Sequence, residues 1–134
     1  MTARKIGLAL LLLASATPAL AEKPKDFIST YSTQAGSGFT PSAARGKSFF
    51  GKDWGVSKDM PKCASCHGND LKANGKHVIT GKVIEPFSPS ANPERFTSTK
   101  KVEKWFKRNC KEVVGRECTA AEKADFIQFV TQGD

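Results

Sequence analysis

Two thiols and an imidazole stand within five residues, Cys63-Ala64-Ser65-Cys66-His67. The spacing C-x-x-C-H is the attachment pattern of a c-type haem. One helical turn sets both sulfurs on the same side of the backbone, where each can add to one haem vinyl group. His67, directly after the second thiol, presents a ring nitrogen to the iron as proximal ligand. Other chemistries use parts of the pattern. A thioredoxin-like redox pair does not need the histidine, and no strand pattern of that fold leads into this motif. A zinc ribbon needs a second C-x-x-C, whereas Cys110 and Cys118 stand eight positions apart. Chance spacing is the remaining reading. The motif predicts one covalent haem c, with its iron, on Cys63 and Cys66.

Haem iron has a second axial position. Methionine is a common ligand there in cytochromes c, but the methionines here are Met1 and Met60. Met60, three residues before the motif, is tied too close to the proximal side to reach the opposite face. The candidates are His77, Asn109, a lysine or no residue. His77 sits between Lys76 and Val78 in a stretch of turn formers, which equally suits a solvent-facing histidine. Asn109 ends the run Lys100 to Asn109, in which Val102, Trp105, Phe106 and Asn109 recur at i, i+3, i+4 and i+7, one helix face. A buried amide needs a partner. Backbone hydrogen bonding at a helix end is one ordinary answer, and iron is another. Trp105 and Phe106, on the same face, are candidates to wall the pocket and exclude water.

These residues need elements to position them. A weak helical stretch covers Asp26 to Gln34, with Phe27, Ile28 and Tyr31 on its apolar side and Gly36-Ser37-Gly38 ending it. A second helical stretch covers Pro41 to Phe50, with Ser42 as N-cap. There Gly46 and Phe50 share a face, and the glycine permits close approach of another helix at about 1 kcal/mol of helix propensity. Residues 51–62 read as a loop into the motif. Residues 68–98 show little periodicity and many breakers, a length that makes sense if the segment wraps a haem. Within 80–89 a backbone carbonyl is expected to accept the other ring N–H of His67. The final helix opens on Thr119-Ala120-Ala121-Glu122, a capping box, and buries Phe126, Ile127, Phe129 and Val130.

Cys110 and Cys118 remain once two of the four cysteines are assigned to haem. Bridged, they tie the Asn109 helix to the last helix through a tight loop, worth about 2.5 kcal/mol in the chain-entropy model. Such a bond fits an exported protein, and the N-terminus predicts export. Arg4 and Lys5 precede a short apolar run, and Ala19-Leu20-Ala21 offers a cleavage site, so residues 1–21 read as a signal peptide. The run is shorter than the ~18 residues of a membrane span, and no other stretch of the mature chain qualifies. Residues 22–134 then form one haem domain in the periplasm. Loss of two positive charges takes the net charge from +8 to +6. That excess suits docking to an acidic redox partner. Scattered lysines and the extracytoplasmic address argue against nucleic acid.

The helix with Gly46 and Phe50, the C-x-x-C-H motif and a terminal helix with Phe126 and Phe129 together resemble a class I cytochrome c. The resemblance implies an all-α fold packed around one haem with long loops, in which the N- and C-terminal helices cross at the glycine. More narrowly, Thr80-Gly81-Lys82, Pro86 to Ser90, Arg95-Phe96-Thr97, Lys101-Val102-Glu103, Arg108-Asn109-Cys110, Gly115-Arg116 and Glu122-Lys123-Ala124-Asp125 resemble the sphaeroides haem protein family. That likeness covers most of residues 40–130. It implies that the iron's sixth ligand is the asparagine before the first disulfide cysteine, here Asn109 before Cys110. The related cytochrome c double-prime has histidine at that position. The family releases this ligand on reduction, binds oxygen or nitric oxide, and receives electrons from a dihaem cytochrome c.

Two function classes follow. One is a periplasmic electron carrier, bis-histidine or otherwise low-spin if the sixth ligand is held in both oxidation states. The other is a haem protein that binds or reduces oxygen or nitric oxide. An enzyme built on side-chain acid–base chemistry is the weakest reading, because no carboxylate–histidine grouping is legible.

Overall fold

The computed structural model describes residues 20–132, so the expected signal peptide falls almost wholly outside the described residues. Among these residues, five α-helices, one π-helical turn and a hairpin of two-residue strands make up the regular structure. Helix α1, Pro24–Ala35, buries Phe27 and Tyr31 and stops at Gly36, whose φ of 105° suits glycine. Pro24 lies inside its first turn rather than ahead of it, where a missing N–H costs nothing. Helix α2, Ala43–Gly51, starts as predicted at Ser42, whose hydroxyl accepts from the Arg45 N–H.

Helices α1 and α2 pack on α5, Ala120–Gln132. The contact of α2 depends on Gly46. A Cβ there would stand 2.0 Å from the Asp125 carbonyl oxygen and 2.8 Å from Phe129 Cβ. The crossing is locked by a buried carboxylate. Asp125 accepts from the Ser42 N–H at 2.7 Å and from two nitrogens of Arg45 at 2.7 and 2.8 Å. Such satisfaction is what makes a buried charge tolerable. The capping box of α5 forms in both directions: Thr119 N–H donates to Glu122 Oε2 at 2.8 Å, and Glu122 N–H to Thr119 Oγ1 at 3.2 Å.

Between these helices lie the segments that form the site. The motif folds into a single turn, α3, Ala64–His67. Strands β1, Gly75–Lys76, and β2, Val83–Ile84, pair antiparallel, and the remainder of 68–98 is turns and extended chain, as its breakers imply. Strand β1 presses on α3, since a Cβ at Gly75 would stand 2.3 Å from the Cys66 carbonyl oxygen. Helix α4, Thr99–Asn109, follows Ser98 as N-cap. It does not simply end. Cys110–Val114 continues as one π-helical turn closed by Gly115 in the left-handed region at φ 79°.

Candidate functional site

A cleft enclosing about 170 Å³ is bordered by α3, by the hairpin and by α4. Cys63, Cys66 and His67 line one part of it, and Trp105, Phe106 and Asn109 line another. The residues singled out by spacing alone therefore converge on one space. Neither motif thiol is in a disulfide. Burial, with a smaller contribution from Cys66, pushes the Cys63 thiol up to about 11. Burial also pushes the His67 imidazole down to about 4, with Arg95 and His77 adding repulsion. At neutral pH His67 is then uncharged, with the free lone pair that metal ligation requires.

The His67 ring has Phe87 as its neighbour, centroids 4.0 Å apart, and Phe50 at 6.4 Å. The expected carbonyl partner in 80–89 is not observed: among the described residues the His67 ring makes no such hydrogen bond. The Pro86 and Glu85 carbonyls instead accept from Arg95 at 2.8 and 2.6 Å. Arg95 also stacks over Phe87, 5.2 Å from its centroid. Phe87, Arg95 and Phe96 line the cleft, and pattern reading did not single them out as wall residues. Their signal was the Pro86-Phe87-Ser88-Pro89 stretch, where apolar residues recur without helical or strand period.

Asn109 occupies the last turn of α4, partly buried, and its amide makes no side-chain hydrogen bond among the described residues. The backbone-bonded alternative is therefore not the one this structure shows. Cys110 follows at once and is disulfide-bonded to Cys118, Cα atoms 5.7 Å apart. The π-turn lies wholly inside that loop. π-Helical turns concentrate at functional positions. His77 also reaches the cleft, but its Nδ1 accepts from the Ile79 and Thr80 N–H groups, each at 3.3 Å. It belongs to the hairpin packed on α3, the same side as His67. Trp105 is 45% exposed at the cleft mouth, whereas Phe106 is drawn inward against Tyr31 and Phe126.

The donor set suits a haem: two thiols for vinyl groups, a neutral imidazole, an unpartnered amide and a wall of aromatic rings. No helix among the described residues is long and apolar enough to cross a membrane.

Comparison with known proteins agrees. A family described as a domain of unknown function, DUF1924, matches residues 36–130. The chain is 43% identical over 118 residues to the cytochrome c-type protein SHP of Cereibacter sphaeroides, spanning 86% of this chain and 89% of that protein. The structure of oxidised SHP, described as an oxygen-binding cytochrome c, aligns with a TM-score of 0.78 at 41% identity, over 84% of this chain and 98% of that one. The solution structure of Methylophilus methylotrophus cytochrome c'', described in terms of haem-ligand detachment, aligns at 0.67 and 34% identity, over 80% and 90%. With that coverage, the chain belongs to the sphaeroides haem protein family, all-α class I c-type cytochromes that carry covalently bound haem c.

Proposed function

We propose that the mature chain, residues 22–134, is a periplasmic one-electron carrier whose distal ligand leaves on reduction and frees a site for oxygen, nitric oxide or carbon monoxide. The observation that carries this reading is the single cleft shared by the Cys63–His67 turn and the unpartnered Asn109 amide. In this reading Cys63 and Cys66 hold the haem covalently and His67 is the proximal ligand. Asn109 is the distal one.

When bound, the haem supplies a ferric–ferrous couple and, with one axial position free, a site for a diatomic gas. The chain does the rest. The Asn109 amide oxygen is a hard, neutral and weak donor that favours the ferric ion over the softer ferrous one. Its place at a helix end, before a π-turn, lets it withdraw without unfolding α4. Phe106 and Trp105 keep water from the space it vacates. The oxygen binding named for SHP and the ligand detachment named for cytochrome c'' support the same sequence of events.

The electron source we infer is an acidic redox protein, for which the family resemblance suggests a dihaem cytochrome c. Lys100, Lys101, Lys104 and Lys107 on α4 make no ion pair among the described residues and are available to meet it.

A firmly ligated carrier using His77 is the competing reading, because His77 also lines the cleft. Optical spectra in both oxidation states, with and without carbon monoxide, separate the two. A ferrous form that binds carbon monoxide without displacing a ligand supports Asn109 release. A six-coordinate, carbon-monoxide-resistant ferrous form overturns it.

A further inference from the structure

Tyr31 is the single tyrosine of the chain, 2% exposed on α1. Its hydroxyl donates to Glu103 Oε1 at 2.5 Å. The other oxygen of that carboxylate accepts from Lys123 Nζ at 2.9 Å. The Tyr31 ring meets Phe106 edge-on with centroids 5.9 Å apart, and Phe106 lines the cleft. One aromatic ring therefore stands between the phenol and the space assigned to the haem.

The Lys123 ammonium lies 5.0 Å from the Tyr31 centroid and 5.5 Å from that of Phe106. A cation so placed opposes positive charge on the phenol, so an electron can leave Tyr31 readily only if the proton leaves with it. Glu103 is in position to take that proton. Burial pushes its carboxyl up, but the hydrogen bonds from Tyr31 and Lys123 and the Lys123 charge outweigh burial and hold it below its usual range. Its side chain is 47% exposed, so the proton has a way on to solvent.

We propose that Tyr31 is a redox-active residue that returns one electron to the haem after a peroxide has oxidised it, with Glu103 as the proton acceptor. This rests on the haem placement proposed above. Hydrogen peroxide takes up two electrons, which bound haem would supply, and two solvent protons, and is reduced to the level of two waters. Tyr31 then gives one electron to the haem. Its O–H bond breaks, an O–H bond forms on Glu103 Oε1, and a neutral tyrosyl radical remains. The arrangement moves an oxidising equivalent out of the gas-binding space into a buried site.

The test uses the reduced holoprotein, the state in which the proposed distal position is open, its haem first verified by mass and optical spectrum, so that failure of haem placement is seen separately. Hydrogen peroxide is added, the optical change followed, and the sample frozen for electron paramagnetic resonance. A tyrosyl signal whose hyperfine structure collapses on ring-deuterated tyrosine is expected, and it must come from Tyr31. Tyr31→Phe should lose it. Glu103→Gln keeps a hydrogen-bonding partner for the phenol, and so the tie between α1 and α4, but not the base; the signal should fall while the ferric spectrum stays unchanged. An equal signal in Glu103→Gln overturns the role of Glu103. A haem that peroxide oxidises with no tyrosyl signal, or that peroxide leaves unchanged, overturns the proposal.

Discussion

At the scale of single residues, the proposed site turns on how strongly one amide would hold iron. Asn109→Ala should leave haem attachment intact, alter the ferric spectrum and barely change the ferrous one, since on the proposed reading the ferrous iron has already lost this ligand. His77→Ala should change neither spectrum; its Nδ1 serves the hairpin backbone. If the His77 change alone converts a low-spin ferric spectrum, bis-histidine ligation replaces the asparagine assignment. The motif residues were legible because covalent haem chemistry demands a fixed spacing. Asn109 stands out in the sequence as an anomaly on an apolar face, and only the resemblance favours it over His77, which lines the same cleft. Phe87 and Arg95 were not legible, because residues that wrap a prosthetic group follow its outline rather than a backbone period.

At the scale of elements, the caps at Ser42 and Thr119 were readable since they depend on neighbouring residues only. The π-turn at Cys110–Val114 was not. It reflects the disulfide and Gly115 acting together, with Val113 and Val114 turned into the interior. Replacing Cys110 and Cys118 with serine should lower unfolding free energy by about 2.5 kcal/mol, measured in denaturant on the haem-bearing protein. It should also loosen Asn109, so the ferric spectrum should shift toward the five-coordinate form; an unchanged spectrum would separate the disulfide from ligand positioning. The α5 cap has its own pH signature. Burial raises the Glu122 carboxyl, but Arg116 and the Thr119 N–H and hydroxyl outweigh it and lower the pKa overall. Its contribution is therefore present above the unfolded value of about 4.3 and lost as pH falls through the lower folded value. Glu122→Gln should be less stable than the parent at pH 7, and the two stabilities should converge as the solution is acidified.

At the scale of the whole molecule, part of the charge of +8 on 134 residues sits on Lys100, Lys101, Lys104 and Lys107 of α4, which make no ion pair among the described residues. If they steer a redox partner, the second-order rate of electron transfer should fall as salt shortens the screening length from about 10 Å at 0.1 M to about 3 Å at 1 M. A rate indifferent to salt would remove the acidic partner from the reading. The same exposure keeps Trp105 at the cleft mouth among Lys104 and Arg108, both over its ring at 5.7 Å, so a docking protein meets an aromatic plane inside a basic rim.

Because α2 seats directly on the Asp125 carbonyl, the core is finished by a partner that lies 80 residues beyond Arg45. A chain that emerges N-terminus first shows its two motif thiols well before α5 exists to complete the helix packing. At roughly 5–20 residues per second of synthesis, that interval is on the order of several seconds. The order of appearance thus separates two events in time: the motif thiols are already out while α1 and α2 still lack the helix they pack on. A chain halted before Ala120 would carry both thiols and never acquire the contact that closes the fold.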